Sequence, residues 1–154
     1  MEIADLLSPD AVLAHVKATT KKQVLQEMAH KAALITRLSE RRIFETLVER
    51  EKLGSTGMGQ GIAIPHGRIQ GIEKMTGLFA QLDHPVDFDS MDDQPVDLVF
   101  LLLAPEGAGA DHLKALARVS RLLRNQAVCE KLRAAPQAAT LFALLTEPTA
   151  AQAA

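Results

Sequence analysis

Tryptophan and tyrosine are absent from this chain of 154 residues, so phenylalanine supplies all of its benzenoid rings. The aromatic platforms on which single-stranded nucleic acid stacks are therefore missing. Lysine and arginine are scattered rather than clustered, and the formal net charge is -2. That leaves no electrostatic footprint for a polyanion, and no nucleic-acid partner is expected. Cys129 is the single cysteine, which excludes an intramolecular disulfide and fits a reducing cytoplasm. It stands in an apolar helical pattern and reads as buried filler rather than as a nucleophile. No apolar run approaches the ~20 residues that cross a bilayer, and no basic-then-apolar leader follows Met1 and Glu2. The chain is expected to be cytoplasmic, without membrane insertion.

What is present is a core alphabet of Leu, Ile, Val, Ala and Met. Val12 to Val16 reads as a short strand. A helix begins at Thr20, with Gln23 set for a capping box and Val24, Met28, Ala32 and Ile35 as its apolar stripe. A second helix begins at Ser39, turns Ile43, Phe44, Leu47 and Val48 inward, and stops at Gly54. A glycine-rich loop follows, Gly54-Ser-Thr-Gly-Met-Gly-Gln-Gly61, and then a strand, Ile62-Ala-Ile64, ending at Pro65. Met75 to Leu82 reads as a strand and His84 to Gln94 as a turn-rich connection. Val96 to Ala104 is almost wholly apolar, the mark of a strand covered on both faces. A helix from about Asp111 to Arg124 is expected to bury Leu113, Leu116, Ala117, Ser120 and Leu123. Two short helices close the chain, near Val128 to Arg133 and Pro136 to Leu145. The pattern predicts an α/β fold, a mixed sheet flanked by helices on both faces, with at least one antiparallel strand. Residues 1–147 are expected to form one domain and residues 148–154 a frayed tail.

The chemistry concentrates in Arg50-Glu-Lys-Leu-Gly-Ser-Thr-Gly-Met-Gly-Gln-Gly-Ile-Ala-Ile-Pro-His-Gly-Arg68. His66 can attack phosphorus through a neutral ring nitrogen, a form available near neutral pH. Pro65 stiffens the backbone before it, and Gly67 is expected to leave room for a partner. Arg50 shares its helix angle with Ile43 and Leu47 and so points inward. Either it binds the last helix carbonyls, or it reaches toward phosphate oxygens. His112 lies in the first turn of the Asp111 helix, where the dipole disfavours an imidazolium. It reads either as a neutral hydrogen-bond donor or as a surface residue near a cap. Gly57 and Gly59 sit in a loop without the Gly-Lys-Ser/Thr ending of a P-loop, and the loop precedes a strand where a dinucleotide turn would follow one. With Ser55 and Thr56 they could form an anion nest or merely a flexible turn. Arg68 would share a side with His66 if the strand continued, and would meet phosphate, partner or solvent. Met58 and Ile69 are candidates for an apolar docking rim. His15, His30 and His84 match no motif. The acidic run Asp83, Asp87, Asp89, Asp92, Asp93 lacks the pattern of a calcium loop.

Glu51, Met58, Gly59, Ile62, Ala63, Ile64, Pro65, His66 and Gly67 together resemble the signature of the enzyme IIA family of the bacterial phosphotransferase system, mannitol/fructose type. The resemblance extends from Ile3 to the last helix, and Gly-Ser-Thr-Gly at 54–57 is similar to the nitrogen-regulatory subgroup. It implies that His66 is the phosphorylation site, at the nitrogen distal to the backbone, that Arg50 stabilises the phosphate, and that His112 orients it. It implies a phosphocarrier rather than an autonomous turnover enzyme. The phosphoryl group would come from phosphoenolpyruvate through enzyme I and an HPr- or NPr-type protein, with no bound cofactor. The absence of fused transport domains favours a stand-alone regulator, with potassium-transport or sensor-kinase proteins as targets by family analogy. Three alternatives stay open: a sugar-specific component of a transporter, a metal-dependent hydrolase using His66 and His112, and an anion-binding module without chemistry. The hydrolase lacks paired ligands at metal-binding spacing, and no metal is expected.

Overall fold

A computed structural model describes residues 1–147, so the tail expected at 148–154 lies outside the described residues. The order is α1 (Ile3–Leu6), a single 3-10 turn (Pro9–Ala11), β1 (Val12–Val16), α2 (Lys21–Thr36), α3 (Glu40–Lys52), β2 (Gly57–Gly59), β3 (Ile62–Ala63), β4 (His66–Ile69), β5 (Thr76–Val86), β6 (Val96–Pro105), α4 (Ala110–Leu123), α5 (Gln126–Ala134) and α6 (Ala138–Thr146). The sheet runs β1-β5-β6-β3-β2, with β4 also on β6. Here β5 is antiparallel to β6, while β3 and β4 run parallel to it and β1 runs parallel to β5. It is a mixed sheet with helices on both faces, as the apolar pattern predicts.

Residues 98–104 of β6 are buried without interruption because both faces are covered. On one face α2 meets β5 and α3 meets β4; on the other α4 and α5 meet β6 and α6 meets β1. The helix starts follow their capping chemistry. The Thr20 side chain accepts from the Gln23 amide, and Ser39 from the Arg42 amide. Gln23 does not close the box on Thr20; its Oε1 accepts instead from the Thr19 amide at 2.8 Å.

The structure departs from the sequence pattern in four places. First, β5 runs to Val86, so the connection expected from His84 begins later. Second, the glycine-rich segment is a β2–β3 hairpin rather than a loop. Its turn residues, Gln60 and Gly61, have φ of 59° and 84°, the paired positive values that a tight two-residue hairpin needs. Third, strand pairing does not stop at Pro65: β3 ends at Ala63, and after Ile64 and Pro65 the chain pairs with β6 again as β4. The register Ile62↔Leu98 resumes as His66↔Leu102, and the Leu102 amide bonds the Pro65 carbonyl at 2.9 Å. Proline is tolerated there because β4 has no further strand on its outer side. Fourth, α4 buries His112, Ala115, Val119, Leu122 and Leu123, whereas Leu113 is 69% exposed and Leu116, Ala117 and Ser120 are not buried. A histidine at the head of the inward stripe and a small Ala115 behind it disguise the true face, so the larger leucines point one residue away.

His15, which matches no motif, carries a structural duty. It sits at φ 54° in a bulge of β1, with its ring between the Asp83 carboxylate at 2.9 Å and the Pro136 carbonyl at 2.8 Å. Both partners are acceptors, the Pro136 carbonyl above all, and together they raise the His15 pKa.

Candidate active site

Strand alternation sets the site. His66 and Arg68 project to the α4 face of the sheet, and Gly67 and Ile69 to the α3 face. Ile69, a candidate for the docking rim, is therefore only 3% exposed and belongs to the core. Met58, on the β2–β3 hairpin, is 56% exposed; it lines a cleft with Ser120, Leu123 and Arg124 at the C-terminal end of α4, whereas His66 meets His112 at the α4 N-terminus. Gly67 is buried as well, so its smallness serves no approaching protein. A Cβ there would lie 2.8 Å from the Thr46 methyl of α3. The missing side chain lets α3 close onto β4 and brings Arg50 within reach of His66. Gly67→Val should cost about 1–3 kcal/mol by overpacking and should slow any chemistry that uses Arg50. Urea denaturation reads the first effect; an unchanged midpoint would show that α3 has room to spare.

Four contacts define the two rings. His66 Nδ1 lies 2.9 Å from the Ile64 carbonyl, and Arg50 Nε lies 3.3 Å from His66 Nε2. A carbonyl only accepts and a guanidinium only donates. Nδ1 therefore carries the proton and Nε2 presents its lone pair. Arg68 Nε donates to His112 Nδ1 at 3.2 Å, so a neutral His112 carries its proton on Nε2. That Nε2 is buried and has no partner. The ring centroids are 5.6 Å apart, with planes at 73°. The pair thus combines a lone pair on His66, covered by Arg50, with an unpartnered N–H on His112.

Both rings are held neutral. Burial lowers the His66 pKa most, the Arg50 charge lowers it further, and Glu51 and the Ile64 hydrogen bond oppose them. Burial also leads in lowering His112, followed by the neighbouring His66 and Arg68. The α4 N-terminus acts in the same direction on His112.

Arg50 reaches both past the end of α3 and into the site. Nη1 donates to the Gly54 carbonyl at 2.9 Å, just past the end of α3, while Nε holds His66. The glycine-rich segment, by contrast, is no open anion nest. Ser55 Oγ donates to the Phe88 carbonyl at 2.5 Å and accepts from the Gly57 amide at 3.0 Å. Thr56 is buried, and its amide donates to Glu51 Oε1 at 3.1 Å. Gly59 packs against the Asp92 carboxylate, which accepts from the Gln60 amide at 2.9 Å. The Ser55 hydroxyl and the Thr56, Gly57 and Gln60 amides are spent on holding the hairpin, and the Thr56 hydroxyl is buried without a partner.

Sequence reasoning overlooked how this frame is anchored. Glu51 Oε1 also meets Lys21 Nζ at 2.9 Å, with the Glu51 side chain only 7% exposed. One carboxylate therefore joins the end of α3, the loop before β2 and the start of α2. Its presence in the motif was a usable signal; Lys21 gave none, because nothing local marks it. Arg133 braces the hairpin turn from α5, bonding Asp97 at 2.9 Å and the Gln60 carbonyl at 2.9 Å. Among the described residues no group of three or more His, Cys, Asp or Glu is placed to hold a metal ion.

The EIIA 2 component of the phosphoenolpyruvate-dependent sugar phosphotransferase system is the family whose sequence model matches, over residues 5–147. The chain belongs to this family. Its similarity to nitrogen regulatory members runs nearly end to end. One from Bradyrhizobium diazoefficiens is 59% identical over 97% of this EIIA 2 chain and 98% of the relative. The crystal structure of the nitrogen regulatory protein IIA-Ntr from Neisseria meningitidis superposes with a TM-score of 0.88 at 38% identity, covering 94% of this chain and 99% of that one. The mannitol IIA of Escherichia coli, solved in complex with phosphorylated mannitol IIB, shares the fold at a TM-score of 0.76 and 21% identity, over 91% of this chain and 98% of that one. No described helix of this EIIA 2 chain is long and apolar enough to cross a membrane.

Proposed function

We propose that this chain is a phosphohistidine carrier that takes a phosphoryl group onto Nε2 of His66 and regulates partner proteins by whether the group is present. The observation that carries the reading is the tautomer of His66. Its Nδ1 proton is engaged by the Ile64 carbonyl and its Nε2 lone pair faces outward under Arg50. In the transfer, a new N–P bond forms at Nε2 as the N–P bond of the donor's phosphohistidine breaks. Charge gathers on the phosphoryl oxygens, and donors already in position stabilise it. Arg50 supplies a guanidinium, and His112 supplies the Nε2–H that has no other partner. No bound cofactor enters the step.

The donor is a small HPr- or NPr-type phosphocarrier, itself charged by enzyme I from phosphoenolpyruvate, acting in the cytoplasm. Exposed Met58 on the β2–β3 hairpin offers it apolar contact away from the two rings. A phosphoryl group adds about two negative charges to a neutral ring, enough to make or break a docking surface. The regulatory output is supported by the full-length likeness to nitrogen regulatory proteins. Potassium-transport or sensor-kinase proteins are the targets by family analogy.

The experiment is intact-mass measurement after incubation with phosphoenolpyruvate, enzyme I and an HPr-type protein of the same organism. One acid-labile phosphoryl group on the wild type, absent from His66→Ala, is the expected result. A wild type that never gains mass would leave an anion-binding module. Because burial and Arg50 lower the His66 pKa, the ring keeps its neutral form to lower pH than an ordinary imidazole does. The midpoint of the acid limb of acceptance should therefore lie below the ordinary imidazole value of 6.5.

A further inference from the structure

His112 reaches the site as a buried ring with one nitrogen spoken for and one free. Its Nδ1 accepts from Arg68 Nε at 3.2 Å, and its Nε2 is buried without a partner. Arg68 itself is exposed on the strand that carries His66, two residues further along the same face. A guanidinium in that position resembles a solvated surface charge or a handle for the docking protein. Its contact indicates a different duty.

We propose that Arg68 is a positioning residue that keeps the Nε2–H of His112 directed at the phosphoryl site. The inference rests on the carrier reading of His66. An imidazole bonded at neither nitrogen exchanges its proton between them and turns about its side-chain torsions. In the tautomer protonated at Nδ1, His112 would present a lone pair to the phosphoryl oxygens, and two acceptors would repel. Arg68 cannot accept a hydrogen bond, so its contact is compatible only with the tautomer that donates from Nε2. The guanidinium also opposes a second proton on the ring. The site thus holds two Arg–His pairs of opposite sense. Arg50 covers the lone pair of the ring that attacks, and Arg68 covers the lone pair of the ring that donates. In each pair it is the arginine Nε that makes the bond. The arginine acts through His112, so its side chain needs no contact with phosphate.

The test has two arms on the full-length protein. In the first, nitrogen-15-labelled histidine is followed by long-range proton–nitrogen correlation, without any donor. Wild-type His112 should show a protonated Nε2 and an Nδ1 resonance displaced by hydrogen bonding. In Arg68→Leu that resonance should move toward a bare imine nitrogen, or both nitrogens should average as tautomers mix. Unchanged His112 nitrogens in the variant would overturn the proposal. In the second arm, phosphoryl transfer from an HPr-type protein is timed in Arg68→Leu, His112→Ala and the double variant. Arg68→Leu should slow transfer roughly tenfold in the wild-type background and leave the His112→Ala background within about twofold. An equal loss in both backgrounds would assign Arg68 to the phosphoryl group or the donor, against the proposal. A wild type that accepts no phosphoryl group would defeat the carrier reading, and the donor-free spectra would still decide whether Arg68 sets His112.

Discussion

Arg50→Leu should slow phosphoryl transfer to His66 by about a hundred- to a thousandfold while leaving the fold intact. The magnitude is that of removing one preorganised donor from a site of developing negative charge, about 3–4 kcal/mol of barrier. The guanidinium is held from both ends, by the Gly54 carbonyl and by His66 Nε2, so it waits at the reacting nitrogen before any phosphate arrives. When the phosphoryl group forms on Nε2, the same N–H groups lose a lone pair and gain phosphoryl oxygens, without a new ordering cost. Arg50→Lys should rescue little, because an ammonium cannot bridge the carbonyl and the ring as a planar fork does. The pH profile should change in a stated direction. The Arg50 charge helps to lower the His66 pKa, so its removal raises that pKa and moves the acid limb of the profile upward. Burial remains the largest single cause, opposed then by the Ile64 hydrogen bond and by Glu51. Rapid-quench timing across pH checks both claims. A variant that transfers at the wild-type rate would remove Arg50 from the site.

Gln81→Leu should destabilise the protein by about 3 kcal/mol and lower its melting temperature by about 6–12 °C, with transfer per folded molecule unaffected. Gln81 is 4% exposed, and its amide is fully used. Oε1 accepts from the His15 amide at 3.1 Å, and Nε2 donates to the Leu132 and Ala135 carbonyls at 2.9 Å each. One side chain in the middle of β5 therefore closes the bulge of β1 and caps the end of α5. Leucine fills a similar volume and adds apolar burial, but it leaves the His15 amide and the Ala135 carbonyl without these partners and the Leu132 carbonyl with only the Ala135 amide at 3.4 Å. That penalty exceeds the gain from burial. Gln81 pairs with Leu98, and His66 with Leu102 across β6, so the site should be spared. Urea denaturation should show a lower midpoint at constant slope; an unmoved midpoint would mean that water replaces the amide without loss.

How far the site could be read in advance depends on whether its parts are local in the chain. His66 is legible because Pro65, Gly67 and the alternating Ile62-Ala-Ile64 surround it within a few residues. Arg50 is legible because helical spacing alone turns it inward with Ile43 and Leu47. The partition of its donors between a carbonyl and a ring nitrogen is not, since Gly54 and His66 come together only through the α3–β4 packing across Gly67. Ser55, Thr56, Gly57 and Gly59 show the converse. Their composition suits an anion nest, and composition says nothing about Phe88, Glu51 and Asp92 arriving from elsewhere to take up the donors.

The amino-acid order by itself determined the long helices, the doubly covered β6 and the motif around His66, since each depends on periodicity or spacing within a short segment. It also determined the neutral chemistry available to two histidines at a strand and a helix start. Tertiary structure alone decided which nitrogen of each ring carries the proton, because that choice is made by Ile64, Arg50 and Arg68 as hydrogen-bond partners in space. It alone decided that Ile69 is core and that α4 turns His112 inward. Burial and tautomer are properties of the surroundings, and residues distant in the chain supply them.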